Sequence, residues 1–167
     1  MTTRTILRFP HPALRSRAEP IDVFGDDLQI LAQDLLVTMR AAPGIGITAP
    51  HVGVLRRLVV IELPGEKPRF YVNPVIEWAS TETSRYEEGS VSMPGVSDEI
   101  ERPSSVRVGY QDLSGTTQVE EASGLLSVCL QHEIDQLDGL FWIYRLSKLK
   151  RDRLIKRFDK LHRASNG

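Results

Sequence analysis

The chain contains 167 residues, of which 41% are hydrophobic and 26% are charged. This size and composition are typical of one globular domain, and we expect residues 1–167 to form a single one. The formal net charge of −1 argues against a DNA-binding surface, because such surfaces are strongly basic. No apolar run approaches the roughly 20 residues of a membrane span. The single cysteine, Cys129, excludes an intramolecular disulfide and favours a reducing compartment. Together with the lack of a long apolar run, this predicts a cytoplasmic protein without a membrane partner.

The first predicted helix runs from Asp26 to Met39, where leucines recur at helical spacing and two aspartates occupy the first turn. It is expected to end near Ala42 and Pro43. The next stretch, residues 43–53, contains several glycines but lacks the spacing of nucleotide-binding loops. This stretch is predicted as a turn.

Several stretches between residues 58 and 121 show the β-branched runs or the alternation typical of strands. They are Leu58–Ile61, Phe70–Trp78 in two pieces broken by Asn73 and Pro74, Ser84–Pro94 with a polar strand end before a glycine-centred bend, Pro103–Gln111 and Thr116–Glu121. Because a turn signal, Asp112–Gly115, separates the last two, they are predicted to form a hairpin.

Two further helices are predicted towards the end of the chain. One begins near Ser123 and ends near Gly139, and its apolar first half is typical of a core helix. The other begins after Ser147, a residue type that suits the N-cap position, and reaches about Arg163. The predicted class is therefore α+β, with mostly antiparallel sheet around the first of these two helices.

The most informative motif lies on that central helix. His132 and Glu133 are followed by Gln136 at the position where the H-E-x-x-H motif places its second histidine. In that motif two histidines one helical turn apart hold a metal, and the glutamate acts as general base. The neutral amide of Gln136 is a poor ligand for zinc or iron.

Three stretches together resemble the signature motifs of peptide deformylases. They are GIGITAPH at 44–51, EEGSVS at 87–92 and QHEIDQ at 131–136, which are similar in order and spacing to G-h-G-h-A-A-x-Q, E-G-C-h-S and Q-H-E-h-D-H. Flanking stretches agree along nearly the whole chain, among them HPALRSRAEPI at 11–21 and FWIYRLSKLK at 141–150. Three motifs in register make this resemblance specific.

The resemblance implies a peptide-deformylase-like fold, in which the metal-binding helix packs against antiparallel sheets and a helix forms the C-terminus. It implies hydrolytic removal of the N-formyl group from the N-terminal methionine of nascent polypeptides. In such enzymes the motif cysteine and two histidines hold Fe(II) or zinc, the adjacent glutamate handles the proton of the bound water, and the motif glutamine binds the developing oxyanion.

Carried over by position, the resemblance places the metal ligands at Ser90, His132 and Gln136. It places the catalytic group at Glu133, His51 and Val91, with His51 at the oxyanion position. A hydroxyl and a carboxamide replace two strong donors, so we expect no tightly bound metal and weak or absent deformylase activity. The family cofactor, Fe(II) or zinc, is expected only if the site survives.

The same resemblance implies a pocket for N-formyl-Met or Met-starting peptides. Its walls would be Ile45, Gly46, Glu88, Gly89, Val91, Val128 and Cys129. An ion pair between Glu88 and Arg102 is expected behind the site, as support that outlasts the change of ligands. Cys129 is expected in the core or the pocket wall instead of a ligand set.

Alternatives remain open at this stage. A rebuilt metal set could use His51 and His132 with Glu133 or Glu88, or Ser90 could act as a nucleophile. A non-catalytic protein could instead bind peptides through the pocket. The C-terminal stretch from Lys148 to Arg163 has eight lysines and arginines against two aspartates; it is a solvated helix face or, as the resemblance implies, a surface that docks on the ribosome.

Overall fold

The computed structural model describes residues 1–165, and the last two residues of the predicted domain lie outside that range. Three α-helices are present: α1 (Asp26–Ala41), α2 (Gly124–Leu137) and α3 (Lys148–Ser165). The strands are β1 (Gly46–Thr48), β2 (Leu58–Ile61), β3 (Arg69–Ala79), β4 (Thr83–Ser90), β5 (Met93–Pro103), β6 (Ser105–Gln111) and β7 (Thr117–Ser123). Short 3-10 turns occupy Pro12–Arg15, Ala49–Val52 and Trp142–Arg145.

The strands form two antiparallel sheets. The larger sheet has five strands in the order β1-β2-β3-β6-β7, and β4 pairs with β5 in a separate two-stranded sheet. The predicted α+β class with antiparallel sheets is confirmed. None of the helices within residues 1–165 is long and apolar enough to cross a bilayer.

The inner strand β2 shows how the larger sheet is covered on both faces. Val59 and Ile61 pack in one core cluster with residues of α2, whereas Leu58 and Val60 pack in another with residues of α1. Because successive side chains point to opposite faces, a strand covered on both sides reads as a continuous apolar run. The run LVVI therefore fixes α1 and α2 on opposite faces of the sheet.

Helix α3 covers the smaller sheet. Its Leu154 and Phe158 join a third cluster with Met93 and Ile100 of β5. The predicted N-cap is present, since Ser147 Oγ accepts a hydrogen bond from the Lys150 backbone N–H at 3.3 Å. The prediction of a C-terminal helix is thus confirmed.

Three local predictions were wrong. Residues 43–53 form β1 and a 3-10 turn instead of an open turn, because the edge of β2 supplies partners for Gly46–Thr48. The segment Phe70–Trp78 is one continuous strand with register shifts, and it absorbs the interruption at Asn73 as a bulge. The bend after β4 lies at residues 91–92, not at a glycine, and it leads into β5, which was not predicted.

Asn73 ties this bulge to the N-terminal segment. Its backbone has a φ of 50°, in the left-handed region that asparagine tolerates better than most residues. Its side chain accepts a hydrogen bond from Ile21 N (2.8 Å) and donates to Ile21 O (2.7 Å) and Gln111 Oε1 (2.8 Å). The interruption that broke the sequence pattern is therefore an anchoring point.

We expect Asn73→Ala to lower the free energy of unfolding by about 3 kcal/mol, since it removes three hydrogen bonds and puts alanine at a positive φ. Chemical denaturation would measure the change. Val75→Ala is the matched control, because Val75 lies in the same bulge with its side chain exposed; it should change stability by less than about 0.5 kcal/mol. Equal effects of the two substitutions would contradict the anchoring role of Asn73.

Candidate active site

A cavity of about 560 Å³ opens between β1, the β4–β5 hairpin and α2. All the residues that the sequence analysis assigned to the pocket wall line it: Ile45, Gly46, Glu88, Gly89, Val91, Val128 and Cys129. Three positions of the assigned site, Ser90, His132 and Glu133, line it as well. Three motifs that are far apart in sequence therefore meet at one cavity.

Three assigned residues do not line the cavity. His51 is buried below β1, Gln136 faces the N-terminal segment, and Arg102 lies behind Glu88. The rest of the lining comes from residues that the sequence did not indicate: Ala42, Pro43, Gly44, Glu87, Met93, Pro94, Gly95, Val96 and Leu125. Strand β5 has few apolar residues, so it shows no clear alternation of apolar and polar side chains. Its pairing with the EEGSVS motif is the one signal that could have indicated this strand.

A buried chain of charged groups supports the cavity floor. Arg102 donates two hydrogen bonds to Glu88, from Nε at 2.6 Å and from Nη2 at 3.0 Å, and a third from Nη1 to Asp135 at 2.9 Å. Asp135 also binds Arg145. The expected ion pair between Glu88 and Arg102 is present, and both side chains are only 4% exposed.

His132 joins this chain at its cavity end. Its Nδ1 lies 2.8 Å from Glu88 Oε1 and its Nε2 lies 3.5 Å from Glu133 Oε1. Burial would raise the pKa of Glu88, but hydrogen bonds from His132 and Arg102 lower it, so Glu88 is the acceptor and Nδ1 carries the hydrogen. Burial would lower the pKa of His132, but the two glutamates raise it.

Glu133 packs beside Gly46 in the cavity wall. A Cβ atom at position 46 would lie 3.3 Å from Glu133 Cδ, so a larger residue there would require the Glu133 side chain to shift. The Glu133 side chain is buried, and its Oε2 has no hydrogen-bond partner among the described residues. Burial raises the pKa of Glu133 to about 7.

His51 is held by the strand that precedes it. Its Nδ1 accepts a hydrogen bond from Thr48 N at 2.9 Å and contacts Thr48 Oγ1 at the same distance. Burial, followed by repulsion from His132, lowers the pKa of His51 to about 3, so the ring is neutral. Because Nδ1 accepts, the hydrogen of the neutral ring lies on Nε2, which is buried with no partner in the described chain.

The two substituted ligand positions are engaged with backbone groups. Gln136 Nε2 donates to the carbonyl of Leu14 at 2.8 Å, and Ser90 Oγ accepts from Ser92 N at 3.0 Å. Cys129 belongs to the main core cluster as well as the cavity wall, and burial raises the pKa of its thiol to about 12. A thiol that burial keeps neutral is a poor nucleophile.

The donor set does not fit a catalytic zinc or iron. Within residues 1–165, no three histidine, cysteine, aspartate or glutamate side chains cluster in a way that could hold a metal ion. The rebuilt set of His51, His132 and Glu133 or Glu88 is therefore not supported. His51 has no free ring nitrogen, because its Nδ1 accepts from Thr48 and its Nε2 carries the hydrogen, whereas His132 keeps Nε2 available. Gln136, the position of the second histidine, does not reach the cavity.

Comparison with known proteins identifies the family of this chain. The family model for polypeptide deformylase matches residues 3–152. A Brucella melitensis protein named peptide deformylase-like is 60% identical over 98% of this chain and 100% of its own length. A Phenylobacterium zucineum protein named peptide deformylase is 45% identical over 99% of this chain and 100% of its own length.

Solved structures of peptide deformylases share the fold of this chain. The crystal structure of a peptide deformylase from Legionella pneumophila superimposes with a TM-score of 0.93 at 36% identity, over 99% of this chain and 98% of that one. The match spans both sheets, the central helix α2 and the C-terminal helix α3. By its motifs, its fold and its relatives, the chain belongs to the peptide deformylase family.

Proposed function

We propose that this protein retains the peptide-binding cavity of the peptide deformylase family but removes formyl groups weakly or not at all. Peptide deformylases are metal-dependent enzymes that act on N-formyl-Met at the start of nascent polypeptides. The observation that carries the proposal is the hydrogen bond from Gln136 Nε2 to the Leu14 carbonyl. The side chain at the position of a family ligand is thereby committed to the backbone of another segment.

The loss concerns more than one ligand. Ser90 offers a neutral hydroxyl where the family motif has a thiolate, and His132 is the single strong donor left at the three ligand positions. A single imidazole does not hold a catalytic metal as three donors do. Since a metal contributes several kcal/mol to transition-state stabilisation, its loss lowers turnover by about three powers of ten.

A metal-free hydrolysis through Ser90 has little support. A serine nucleophile needs a base within hydrogen-bond reach of its hydroxyl. The hydrogen bond that Ser90 Oγ makes in the described chain is to Ser92 N, and His132 is held between Glu88 and Glu133. Glu133 therefore has a neighbouring imidazole but no nucleophile to activate.

What persists is a site for the start of a peptide. The cavity walls are apolar where Val91, Val128 and Leu125 face it, and they end at the polar pair His132 and Glu133. This combination suits a peptide whose first residue is methionine, with its side chain on the apolar wall and its N-terminus at the polar end. We therefore favour a non-catalytic binding protein for Met-starting or N-formyl-Met peptides.

The basic helix α3 supports a second role for the same protein. Leu154 and Phe158 are buried against the smaller sheet, whereas Lys150, Arg153 and Arg157 are exposed. A row of exposed cations on a rigid helix suits an RNA-rich partner. Docking of α3 on the ribosome would bring the cavity close to emerging N-termini in the cytoplasm.

Restoring the family ligands tests the lost metal site. We expect the combined variant Ser90→Cys, Gln136→His and His51→Gln to bind Fe(II) or zinc and to hydrolyse formyl-Met-Ala-Ser. The wild type should do neither, because its ligand positions hold a hydroxyl and a carboxamide. Elemental analysis after anaerobic loading and a formate-release assay measure the two properties.

The matched control changes the same three positions without adding ligands, as Ser90→Ala, Gln136→Asn and His51→Asn. Both triple variants lose the bond to Leu14, which costs about 1–3 kcal/mol, so folding is checked by thermal melting. A full complement of metal in the wild type that disappears in His132→Ala, together with turnover, would overturn the proposal.

His51 should make the protein sensitive to acid. Between the ordinary pKa of 6.5 and the folded value of about 3, unfolded His51 binds a proton that the folded residue does not. The free energy of unfolding therefore falls as pH falls through this window, by up to about 1.4 kcal/mol per pH unit. Denaturant titrations from pH 8 to pH 4 would measure the free energy of unfolding of the wild type and of His51→Gln. The difference between the two proteins should be constant above pH 7 and should change below it. Parallel curves over the whole range would contradict a neutral, buried His51.

Charge reversal on α3 tests ribosome docking. The variant Lys150→Glu, Arg153→Glu and Arg157→Glu should weaken co-sedimentation with ribosomes by about tenfold or more, because each lost cation removes a phosphate contact. The control reverses three exposed cations elsewhere, as Arg17→Glu, Arg56→Glu and Lys67→Glu. Ribosome docking through α3 would be contradicted if both variants co-sediment like the wild type, or if both sets of substitutions reduce co-sedimentation equally.

A further inference from the structure

We propose that the cavity selects peptides whose first residue carries a free α-ammonium group, in preference to their N-formylated precursors. This inference rests on the proposed function, because it concerns the same cavity without a catalytic metal. Binding would depend on whether the N-terminal amine of the peptide is free or formylated. The occupant would thus be the product of deformylation, not its substrate.

The charged side chains of the cavity wall favour a positively charged ligand. Glu87, Glu88 and Glu133 line the cavity, whereas no lysine or arginine of residues 1–165 does so. Glu88 is compensated from behind by the two hydrogen bonds of Arg102. Glu133 has no such partner, and its one charged neighbour, His132 Nε2, lies at 3.5 Å. The wall therefore offers acceptors to a cation and few donors to an anion.

Glu133 supplies the second, independent observation. The residue is 3% exposed, it lines the cavity, and its Oε2 lacks a hydrogen-bond partner in the described chain. A buried carboxyl oxygen without a donor is costly, and a ligand that brings a donor removes that cost. An α-ammonium group brings three N–H donors and a positive charge, as the ammonium of lysine does.

A formyl group presents the wrong chemistry to the same end of the cavity. Its carbonyl oxygen is an acceptor, so it needs donors or a metal facing it. The donor nearest in the motif, His51 Nε2, is buried and does not line the cavity, and Gln136 donates to Leu14. A formylated peptide brings no ammonium donors to this end of the cavity, so the Oε2 atom of Glu133 would stay without a hydrogen-bond partner.

The size of the cavity fits the rest of such a ligand. Its volume of about 560 Å³ accommodates more than one residue, and Val91, Leu125 and Val128 supply apolar wall next to the polar end. The close approach of Gly46 to Glu133 leaves the backbone edge of β1 beside the carboxyl group. An apolar first side chain and an ammonium can therefore be bound at the same time.

Three peptides separate the ammonium from the side chain. Isothermal titration of the wild-type protein would compare Met-Ala-Ser, formyl-Met-Ala-Ser, and the des-amino analogue in which hydrogen replaces the amine. We expect Met-Ala-Ser to bind roughly 10- to 100-fold more tightly than either of the others, the range for one charged hydrogen bond. Glu133→Gln keeps the shape of the side chain and should reduce this preference to about threefold or less.

Glu82→Gln is the control for net charge, because Glu82 is exposed and does not line the cavity; it should leave the preference unchanged. Equal binding of the three peptides, tighter binding of the formylated one, or no binding of Met-Ala-Ser at millimolar concentration would overturn the inference. The peptide comparison in wild type decides this even if Glu133→Gln does not fold. Release of formate by the wild type at the rate of the restored triple variant would instead contradict the proposed function.

Discussion

The ion pair between Arg102 and Glu88 is the interaction on which the site depends. It joins β5 to β4 through two hydrogen bonds, and it extends to α2 through Asp135 on one side and His132 on the other. Both side chains are almost fully buried, and removing one partner of such a pair costs about 3–5 kcal/mol, because an uncompensated charge stays behind. None of these contacts requires a metal. The hairpin and the helix that wall the cavity are therefore held in place by groups that the changes at the ligand positions leave untouched.

The positions that the resemblance assigns to two metal ligands and the oxyanion donor have hydrogen-bond partners within the protein. Gln136 binds the Leu14 carbonyl, Ser90 accepts from the turn between β4 and β5, and His51 accepts from the backbone of Thr48. Each contact satisfies a backbone group near the cavity, and each is worth about 1 kcal/mol. The polar side chains of this region therefore connect segments of the chain through hydrogen bonds to the backbone. A protein in this state keeps the shape of a hydrolase site while its ligand positions serve the fold.

Much of the fold could be predicted from periodicity, but part of the site could not. Helices α1, α2 and α3, strand β2 and the β6–β7 hairpin follow from regular apolar spacing and turn residues. Strand β5 carries too few apolar residues to show a pattern, and β1 exists only because β2 offers it an edge. The three motifs indicated which residues meet. The direction of the Gln136 side chain depends on Leu14, which is 122 positions away in the chain, and no local pattern encodes that contact.

Binding and hydrolysis make different demands on a site, and this structure separates them. Binding needs walls of the right shape and polar groups complementary to the ground state of the ligand, and these reside in β1, the β4–β5 hairpin and α2. Hydrolysis needs groups that stabilise the transition state more than the ground state. In the peptide deformylase family those groups are the metal ligands and the oxyanion donor. The resemblance assigns Ser90, Gln136 and His51 to groups of the second kind, whereas the cavity walls and the Arg102–Glu88 ion pair are present in the structure. On the proposed function, changes that fall on transition-state stabilisation alone would remove turnover without removing the cavity, and the unpartnered oxygen of Glu133 would then select the N-terminus that the cavity accepts.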